Sequence, residues 1–595
     1  MGPEKIYEDL SLVRGRARKV LGVVAALFVG VVLYYWKVQV LDYQKYWKLA
    51  EANRLRERTL SAPRGVIMDR NGTILADNTA GFKVSFIREN CRDYEDSLRR
   101  IGGMLGIEED ALRKRIEKGG KKFFFEPAVI KDNLAFEEVA PIEARKLEFP
   151  ELVVEVDPKR LYRFGKLAAH VLGYLQELTP EEVEREGAGG RRWGDMIGRT
   201  GIERQYDDRL VGRDGRLLEI VDNVGKSQGE LGREDPRQGE NIRLALDYDL
   251  QKTAEELLEG REGAIVVLDV VRDEVLAMAS YPTYDPNKFI SRFTPDEWMD
   301  LVNDPSYPME NRAIRGLYSP GSIFKIVMGI AGLDAGFVNE SNAVFCGGST
   351  LIYGHSFSCW FKPGHGLMNV SSGIKNSCNI YFYNLGRRMG IDAIARYGKM
   401  MGLGAKTGID LPGEKEGLVP SSEWKMKAMN APWFPGETIS VAIGQGPLLV
   451  TPLQIAALTA LVAKRGVPSH PRLLASDPPG HADPRRVEIR SSAFESVIQG
   501  MWRSVNDEGT GRSAKVAGFD VCGKTGSTQV VSTERAEKLA RQNREVKTHS
   551  WFSGFAPRDN PRVAVTVLVE YGGGGGATAA PLARQLFDLF RRKYD

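Results

Sequence analysis

The sequence predicts an α+β multidomain protein with one membrane-spanning helix near its start and an antiparallel sheet flanked by helices at its end. Three observations lead to this fold class. A chain of 595 residues is too long for a single hydrophobic core. An uncharged apolar run lies near the N-terminus. Apolar, strand-like segments stand at both ends of the region that begins at about residue 241, with helical segments between them.

The apolar run from Val20 to Trp36 contains no charged residue, and the apolar positions after Lys37 extend it to membrane-spanning length. We therefore predict a transmembrane helix over 20–41. A cleaved signal peptide is the alternative, but the run is long and lacks a clear small-residue cleavage site. Basic residues at positions 14, 16, 18 and 19 precede it. By the positive-inside rule, 1–19 is then a cytoplasmic tail of a single-pass inner-membrane protein, and everything after about residue 42 is exported to the periplasmic side.

Residues 42–240 are predicted to form a charged stalk followed by an irregular α+β region. Asp42–Thr59 has helical spacing and no helix breaker, which predicts that the membrane helix continues outward. Short β-like runs at 81–87 and 151–156 and a charged helical segment at 107–118 follow. No cluster of catalytic residue types is apparent in this region.

Residues 241–595 have a different character and are predicted to form the catalytic domain. Ala264–Asp269 and Glu274–Ala279 flank a polar turn, which indicates a hairpin. Further strands are predicted at 550–557 and 563–571, and a terminal amphipathic helix at 580–594. The glycine run 572–576 between the last strand and that helix is predicted to be a flexible loop rather than a substrate contact.

Composition excludes some classes of function. The chain has 82 Lys and Arg residues against 78 Asp and Glu residues, a formal net charge of +4, so we predict no nucleic-acid partner. Five cysteines are too few and too unevenly spaced for a disulfide-rich scaffold.

Three SxxK patterns occur, at Ser322/Lys325, Ser372/Lys375 and Ser422/Lys425. A helix brings residues three apart onto one face, so a lysine at this spacing can activate the serine. Only Ser322 follows a Pro-Gly turn and precedes a buried-helix pattern. In that first turn, the helix dipole and free backbone N–H groups favour the oxyanion of acyl transfer. We therefore select Ser322 as the nucleophile.

Two partner motifs are also duplicated. SxN occurs at Ser377–Asn379 and Ser504–Asn506, and KTG occurs at Lys406–Gly408 and Lys524–Gly526. The second KTG follows an apolar residue, as expected for a strand whose glycine lets substrate approach the backbone. The first lies in a Gly- and Pro-rich stretch and is predicted to be a surface turn. The ordered set is therefore Ser322/Lys325, Ser377/Asn379 and Lys524/Thr525/Gly526.

SxxK, SxN and KTG in this order resemble the penicillin-binding protein superfamily. RGVIMDRNG at Arg64–Gly72 and GRTGIERQYDDRLVGRDG at Gly198–Gly215 resemble the pedestal, or dimerisation-type domain, of class B members. IGQGPLLVTPLQ at Ile443–Gln454 resembles their transpeptidase domain, which is serine β-lactamase-like. CWFKPGHG at Cys359–Gly366 is similar to the subfamily that serves cell-wall elongation.

This resemblance implies a peptidoglycan D,D-transpeptidase that β-lactams inhibit by acylating Ser322. It assigns proton abstraction to Lys325, proton relay to Ser377, orientation to Asn379, and carboxylate binding to Lys524 with its neighbours Thr525 and Gly526. The backbone N–H groups of Ser322 and Ser527 would form the oxyanion hole.

The resemblance also implies partners. The substrates are stem peptides ending in D-Ala-D-Ala, and a RodA-like SEDS glycosyltransferase of the elongation machinery is expected to be bound and activated at the membrane. No cofactor is required for the chemistry. Three alternatives stay open: a division-specific class B transpeptidase, a D,D-carboxypeptidase that uses water as acceptor, and a catalytically silent scaffold that activates a polymerase.

Cys346, Cys359, His365 and Cys378 offer three thiols and one imidazole, which is a complete ligand set for a structural zinc ion. A disulfide between Cys346 and Cys359, or three buried apolar cysteines, are equally compatible with the pattern. Cys378 is the middle residue of SxN, so a metal there would tie the neighbouring loop to the active-site wall.

Overall fold

The structure, a computed structural model, describes residues 10–91, 93–119, 127–134, 136–179, 181–183, 194–222, 227–291, 293–475, 486–529 and 548–595. The chain divides into two compact units. The first comprises Met1–Pro63, Ala80–Pro158 and Gly212–Gln238, and the second Arg64–Thr79, Lys159–Val211 and Gly239–Asp595. The segment 42–240 therefore contributes residues to both units.

Most strands of the described residues pair in antiparallel fashion, and the short pair β10–β2 is parallel. Their bounds are β1 Leu55–Leu60, β2 Ile67–Met68, β3 Ile74–Phe86, β4 Ala128–Leu134, β5 Leu152–Tyr162, β6 Leu175–Glu177, β7 Met196–Gly198, β8 Gly215–Val221, β9 Ser227–Glu234, β10 Ile242–Arg243, β11 Gly263–Asp269, β12 Glu274–Tyr281, β13 Val344–Cys346, β14 Ser349–Ile352, β15 His355–Ser358, β16 Gly366–Met368, β17 Cys522–Gln529, β18 Thr548–Ala556 and β19 Val563–Val569.

The helices range from single turns to the 27 residues of the first. Their bounds are α1 Leu10–Trp36, α2 Tyr43–Arg54, α3 Tyr94–Leu105, α4 Glu109–Gly119, α5 Phe136–Ala144, α6 Ala169–Leu172, α7 Gly201–Gln205, α8 Asp207–Leu210, α9 Tyr248–Leu258, α10 Asn287–Ser291, α11 Pro295–Asn303, α12 Lys325–Asp334, α13 Val370–Lys375, α14 Asn379–Met400, α15 Ser422–Met429, α16 Pro435–Val441, α17 Pro452–Ala463, α18 Ser491–Asn506 and α19 Ala579–Tyr594.

The N-terminal apolar segment is helical, as predicted. Helix α1 and the π-helical turn Lys37–Leu41 that follows it include the 28-residue stretch Arg14–Leu41, whose most apolar 18 residues have a mean hydropathy of 1.9. Among the described residues this is the one helix long and apolar enough to cross a membrane. A single-pass anchor is consistent with this finding.

The helix predicted over 42–59 is wrong for its last residues. Helix α2 ends at Arg54, and 55–60 form strand β1, which pairs antiparallel with β8 from Leu55↔Ile220 to Leu60↔Gly215. The helical spacing of residues in a charged stretch indicates only the local preference of the backbone for a helix. Here the backbone hydrogen bonds are made instead with a strand far along the chain, so tertiary pairing overrides that preference.

The first unit has a small core of its own. Strands β1, β8 and β9 form a three-stranded sheet. Helices α3 and α4 pack against strand β4 through buried residues such as Leu98, Ile101, Leu112 and Ile130. Helix α3 is defined at both ends, because the Asp93 side chain accepts a hydrogen bond from its first turn and Gly106 closes it in a left-handed conformation.

The second unit is built on a five-stranded antiparallel sheet in the order β12-β11-β19-β18-β17. It confirms the predicted arrangement of strands from both ends of the region. Alternate residues of these strands face opposite sides. Ala264 and Leu568 belong to one buried cluster, with α12 and α17, whereas Ile265 and Val567 belong to a second cluster, with α9 and α19. Both faces are covered, so the predicted functional residues lie at the ends of helices, in turns and on the edge strand β17.

Candidate active site

Ser322 lies in a turn whose backbone packs directly against the backbone of Gly444. Gly321–Phe324 form one turn of 3-10 helix that runs directly into α12. Gly321 N–H donates to Gly444 O over 2.9 Å, and a Cβ on Gly444 would lie 2.0 Å from Gly321 O, so the two backbones touch. Ser322 is half-buried, while the three residues after it are fully buried. The turn therefore leaves the serine as its accessible residue.

Lys325 is the first residue of α12, and its side chain is fully buried. Nζ donates to Ser377 O over 2.9 Å and to Asn379 Oδ1 over 2.7 Å, and lies 3.3 Å from Ser377 Oγ. Because burial disfavours the ammonium form, the pKa of Lys325 is lowered to about 8. An appreciable fraction of Lys325 is thus neutral in mildly alkaline solution and can accept a proton.

We call Ser377–Asn379 the SxN wall; it comprises the end of the turn after α13 and the first residue of α14. Ser377 is buried and has a φ of +53°, a left-handed conformation that costs a non-glycine residue roughly 1–2 kcal/mol. Backbone hydrogen bonds hold the turn, from Ser377 N–H to Ile374 O and from Cys378 N–H to Gly373 O. Such an outlier persists only where its surroundings fix it, and here it directs both polar side chains toward Lys325.

Lys524–Ser527, which we call the KTG wall, lie on the edge strand β17. Lys524 is fully buried, and its Nζ donates to Thr525 O over 2.9 Å. Burial, together with the positive charge of Lys325, lowers the pKa of Lys524 well below its ordinary value. The charge of Lys325 therefore disfavours the charged form of Lys524, and an anionic ligand would relieve this repulsion.

The Ser322 turn packs directly on the KTG wall. Thr528 Oγ1 donates to Ser319 O over 3.0 Å. A Cβ on Gly526 would lie 3.0 Å from Pro320 O, and one on Gly321 would lie 3.2 Å from Ser527 O. The structure thus brings the predicted site residues together around Lys325: Ser322, Ser377, Asn379, Lys524, Thr525, Gly526 and Ser527.

The duplicate motifs are engaged in local structural contacts. Ser372 completes the capping box of its own helix with Asn369, and Thr407 and Gly408 bind a carboxylate in a turn. The polar partners of these copies are Asn369 for Ser372, Asp507 for Lys375, Asp392 for Ser422, Glu437 for Lys425, Glu414 for Thr407 and Gly408, and the backbone of Val521 for Asn506. The structure does not bring these residues to Lys325.

The four predicted metal-ligating residues form one cluster. The ligand atoms of Cys346, Cys359, His365 and Cys378 all lie within 4.8 Å of one another. His365 Nδ1 is 3.5 Å from the sulfur of Cys346 and 3.5 Å from that of Cys359. Zn–S bonds of about 2.3 Å and Zn–N bonds of about 2.0–2.1 Å at a tetrahedral angle require an S···N edge of about 3.6 Å. All five cysteines are free thiols, so the residues present fit a tetrahedral zinc ion.

Two contacts of the KTG wall were not found from the sequence. Thr525 Oγ1 donates to Thr510 Oγ1 over 3.0 Å, and Gly575 N–H donates to Ser527 Oγ over 3.1 Å. Thr510 stands in a Gly-rich turn and Gly575 in the predicted flexible loop. The neighbouring glycines were the one sequence signal that could have indicated these contacts, but glycines are typical of any turn.

Comparison with protein families identifies both parts of the chain. Residues 263–588 match the penicillin-binding protein transpeptidase domain, and 59–244 match the penicillin-binding protein dimerisation domain. These are the two domains that distinguish a class B penicillin-binding protein. The chain belongs to this family, and it is a serine-type D,D-transpeptidase by class.

Several relatives within this family are similar to the chain over nearly its full length. The peptidoglycan D,D-transpeptidase MrdA of Acinetobacter baumannii is 34% identical over 98% of this chain and 88% of its own length. Penicillin-binding protein 2 of Helicobacter pylori, solved in complex with MreC, has a TM-score of 0.81 at 28% identity, covering 91% of this chain and 99% of its own. A peptidoglycan synthase complex described for coordinating polymerization and crosslinking contains a chain with a TM-score of 0.72 and 29% identity, covering 96% of this chain and 97% of its own.

Proposed function

We propose that this chain cross-links peptidoglycan during cell-wall elongation through an acyl-enzyme on Ser322. The observation that carries the proposal is the convergence of the SxN wall on a buried lysine. Lys325 Nζ is within 3.3 Å of three oxygen atoms of Ser377 and Asn379, and it lies one helical turn from Ser322. A base with a lowered pKa beside a half-buried serine is the arrangement that activates a hydroxyl nucleophile.

In the first step, Ser322 Oγ attacks the carbonyl carbon between the two terminal D-alanines of a donor stem peptide, and Lys325 takes the hydroxyl proton. The N–H groups of Ser322 and Ser527 stabilise the oxyanion. The C–N bond then breaks, and D-alanine leaves with a proton passed through Ser377. Lys524, whose charged form the incoming carboxylate favours, holds the donor's terminal carboxylate beside Thr525.

In the second step, an amine of another stem peptide attacks the ester carbonyl. Its proton passes to the same base, the ester bond to Ser322 breaks, and Ser322 recovers its proton. Asn379, hydrogen-bonded to Lys325, orients the lysine and the substrate amide through both steps. The product is an amide cross-link.

The test supplies polymerised glycan strands with pentapeptide stems and measures released D-alanine and cross-linked muropeptides by mass spectrometry. Wild-type protein is expected to give both, and Ser322→Ala neither. Ser422→Ala is the matched control, since Ser422 is the serine of another SxxK and binds Asp392. It should behave as wild type. D-alanine release without cross-links would identify a carboxypeptidase instead.

The partner proposed for the non-catalytic region is a RodA-like SEDS glycosyltransferase of the elongation machinery. Support comes from the family's dimerisation domain over 59–244 and from the similar chain of the solved peptidoglycan synthase complex. Reconstitution of that polymerase with the Ser322→Ala protein should still stimulate glycan synthesis. Equal synthesis with and without the protein would contradict the proposal.

The proposed topology is a single pass of the inner membrane with a cytoplasmic N-terminus and a periplasmic catalytic part. The apolar helix and the basic residues that precede it support this orientation. Periplasmic reporters fused after residue 42 should be active, and those fused before residue 20 inactive. The opposite pattern, or release of the protein from membranes after cleavage, would contradict it.

Cys346, Cys359, His365 and Cys378 would hold a structural zinc ion. Four protein ligands leave no open coordination position, so the ion would supply rigidity rather than chemistry. One zinc per chain is expected by elemental analysis of protein purified without chelator, and chelation should expose three further thiols. Substoichiometric metal with two thiols missing as a disulfide would exclude the zinc ion.

A further inference from the structure

The loop Gly572–Gly576, which we call the glycine loop, connects β19 to α19. Although its composition predicts flexibility, its backbone is held at several points. Gly573 N–H donates to Thr548 O over 3.0 Å, and Ser550 Oγ donates to Gly574 O over 3.3 Å. Thr578 Oγ1 donates to Gly572 O over 2.7 Å. The loop is therefore fixed against β18 and against the start of α19.

One glycine of this loop lies against the backbone of the KTG wall. A Cβ on Gly575 would lie 2.3 Å from Trp551 O, 2.4 Å from Gly526 O and 3.0 Å from Gly526 N. Trp551 is the residue opposite Gly526 in the β17–β18 pairing. All three atoms belong to backbone, so no side chain can move aside. The φ of Gly575 is not in the left-handed region, so this contact alone requires glycine.

The same glycine also contacts the residue that supplies the oxyanion hole. Gly575 N–H donates to Ser527 Oγ over 3.1 Å. The next residue continues the contact, since a Cβ on Gly576 would lie 2.6 Å from Thr510 O. Thr510 in turn receives a hydrogen bond from Thr525 Oγ1 over 3.0 Å. Two successive glycines thus support the part of β17 that carries Thr525 and Ser527.

The position of β17 in the sheet makes this support necessary. As the edge strand, β17 has a hydrogen-bonded neighbour on one side only, and its other side must stay open for substrate. Pairing with β18 fixes the strand within the sheet, but it leaves displacement out of the sheet less restrained. The contact with Gly575 supplies that restraint at the residue before Ser527.

We infer that Gly575 is a positioning residue for the oxyanion hole, which keeps the Ser527 backbone N–H aligned with the reacting carbonyl. It does so by close contact with the backbone of Gly526 and Trp551 together with its hydrogen bond to Ser527 Oγ. The inference rests on the proposed roles of Ser322 and Ser527. A displacement of the order of 1 Å at a catalytic group costs about 100-fold in rate, and loss of one oxyanion donor costs about 100- to 1,000-fold.

Gly575→Ala tests the inference against a matched neighbour. Gly574→Ala adds the same methyl group one residue earlier, where nothing lies within 4 Å and φ is outside the left-handed region. Leu586→Ala, in the buried cluster on α19, is a destabilised control remote from Ser322. For each full-length protein we would measure the melting temperature, the saturating acylation rate constant with penicillin, and the final adduct stoichiometry.

The discriminating readout is the ester carbonyl stretch of the acyl-enzyme, recorded by infrared difference spectroscopy with carbonyl-labelled penicillin. Hydrogen bonds from the oxyanion hole lower this frequency. Gly575→Ala is expected to shift it upward and to reduce the acylation rate constant on the order of 10- to 100-fold, at unchanged stoichiometry. Gly574→Ala and Leu586→Ala should keep the wild-type frequency and stay within about twofold in rate.

A Gly575→Ala protein with the rate and carbonyl frequency of Gly574→Ala would overturn the inference, whatever its melting temperature. If Gly575→Ala does not fold, Ser527→Ala carries the test, because it removes the Oγ acceptor and adds no atom. An unchanged carbonyl frequency in Ser527→Ala would then overturn it. Wild-type protein that forms no adduct on Ser322 would instead refute the proposed function, so the two failures are distinguishable.

Discussion

The SxN wall and the KTG wall bound the same lysine, but they are held in place by different means. The SxN wall is a strained turn, with Ser377 at a φ of +53°, and its middle residue belongs to the Cys/His cluster. The KTG wall is an unstrained edge strand supported by backbone contacts from Gly575. On the proposals above, one wall depends on the side-chain ligands of a zinc ion, and the other on the absence of a side chain at Gly575. This difference predicts which substitutions disturb each wall.

The largest effect is expected from the residue that both walls surround. Lys325→Ala should reduce the acylation rate constant by about 10³-fold, because it removes the general base. Lys375→Ala, which removes the lysine of another SxxK from its ion pair with Asp507, is the control and should cost less than about twofold. Stopped-flow acylation would measure both. A Lys325→Ala rate within tenfold of wild type would assign the base elsewhere.

The next effect tests the SxN wall. Cys359→Ala should reduce zinc content and lower the acylation rate constant by about 10- to 100-fold, because Ser377 and Asn379 lose the tie through Cys378. Cys91→Ala removes a cysteine of the first unit outside the cluster and should change neither quantity. Elemental analysis and acylation kinetics on the same preparations provide the comparison. Full activity in a zinc-free Cys359→Ala protein would show that this wall does not need the cluster.

The pH dependence of the acylation rate constant tests the protonation state of Lys325, which lies between the two walls. Since burial lowers its pKa to about 8 and the neutral form is the base, the saturating acylation rate constant should rise with pH through about 8. Between pH 7 and pH 9 the neutral fraction increases about tenfold. Rates measured at saturating penicillin isolate this step from binding. A rate constant that is flat, or that falls over this range, would contradict the assignment.

The smallest effect concerns the KTG wall. Thr525→Val removes the hydroxyl that donates a hydrogen bond to Thr510. We expect this substitution to weaken binding of the penicillin carboxylate. A lost hydrogen bond of about 1 kcal/mol corresponds to a roughly fivefold rise in the dissociation constant for penicillin before acylation. Thr525→Ser keeps the hydroxyl and should restore binding. Equal dissociation constants for Thr525→Val and Thr525→Ser would show that the Thr525 hydroxyl does not contribute to penicillin binding.

The sequence predicted the SxN wall more completely than the KTG wall, for a physical reason. Residues proposed to act through their side chains, such as Ser322, Ser377 and Cys378, can be recognised from their residue types and spacing. Gly575 acts by having no side chain, and a glycine run predicts a flexible loop equally well. The choice of Ser322 among three SxxK serines rests on the order in which its partner motifs follow, and it stays a prediction.

The sheet of the second unit was predictable because its apolar strands bury both faces. The stalk was not, since 55–60 have helical spacing but pair with β8 more than 150 residues later. Local patterns do not record such pairing. The close contact of Gly444 with Gly321 was missed for the same reason as that of Gly575, although the IGQG motif was recognised.

The most direct test of the central claim is covalent labelling with penicillin followed by peptide mapping. The account predicts a single adduct on Ser322, carried by the tryptic peptide between Arg315 and Lys325, and no adduct in Ser322→Ala protein. Ser372 and Ser422, which have the same SxxK spacing, should stay unmodified in the same digest. An adduct on either of these serines, or undiminished labelling of Ser322→Ala, would contradict the account.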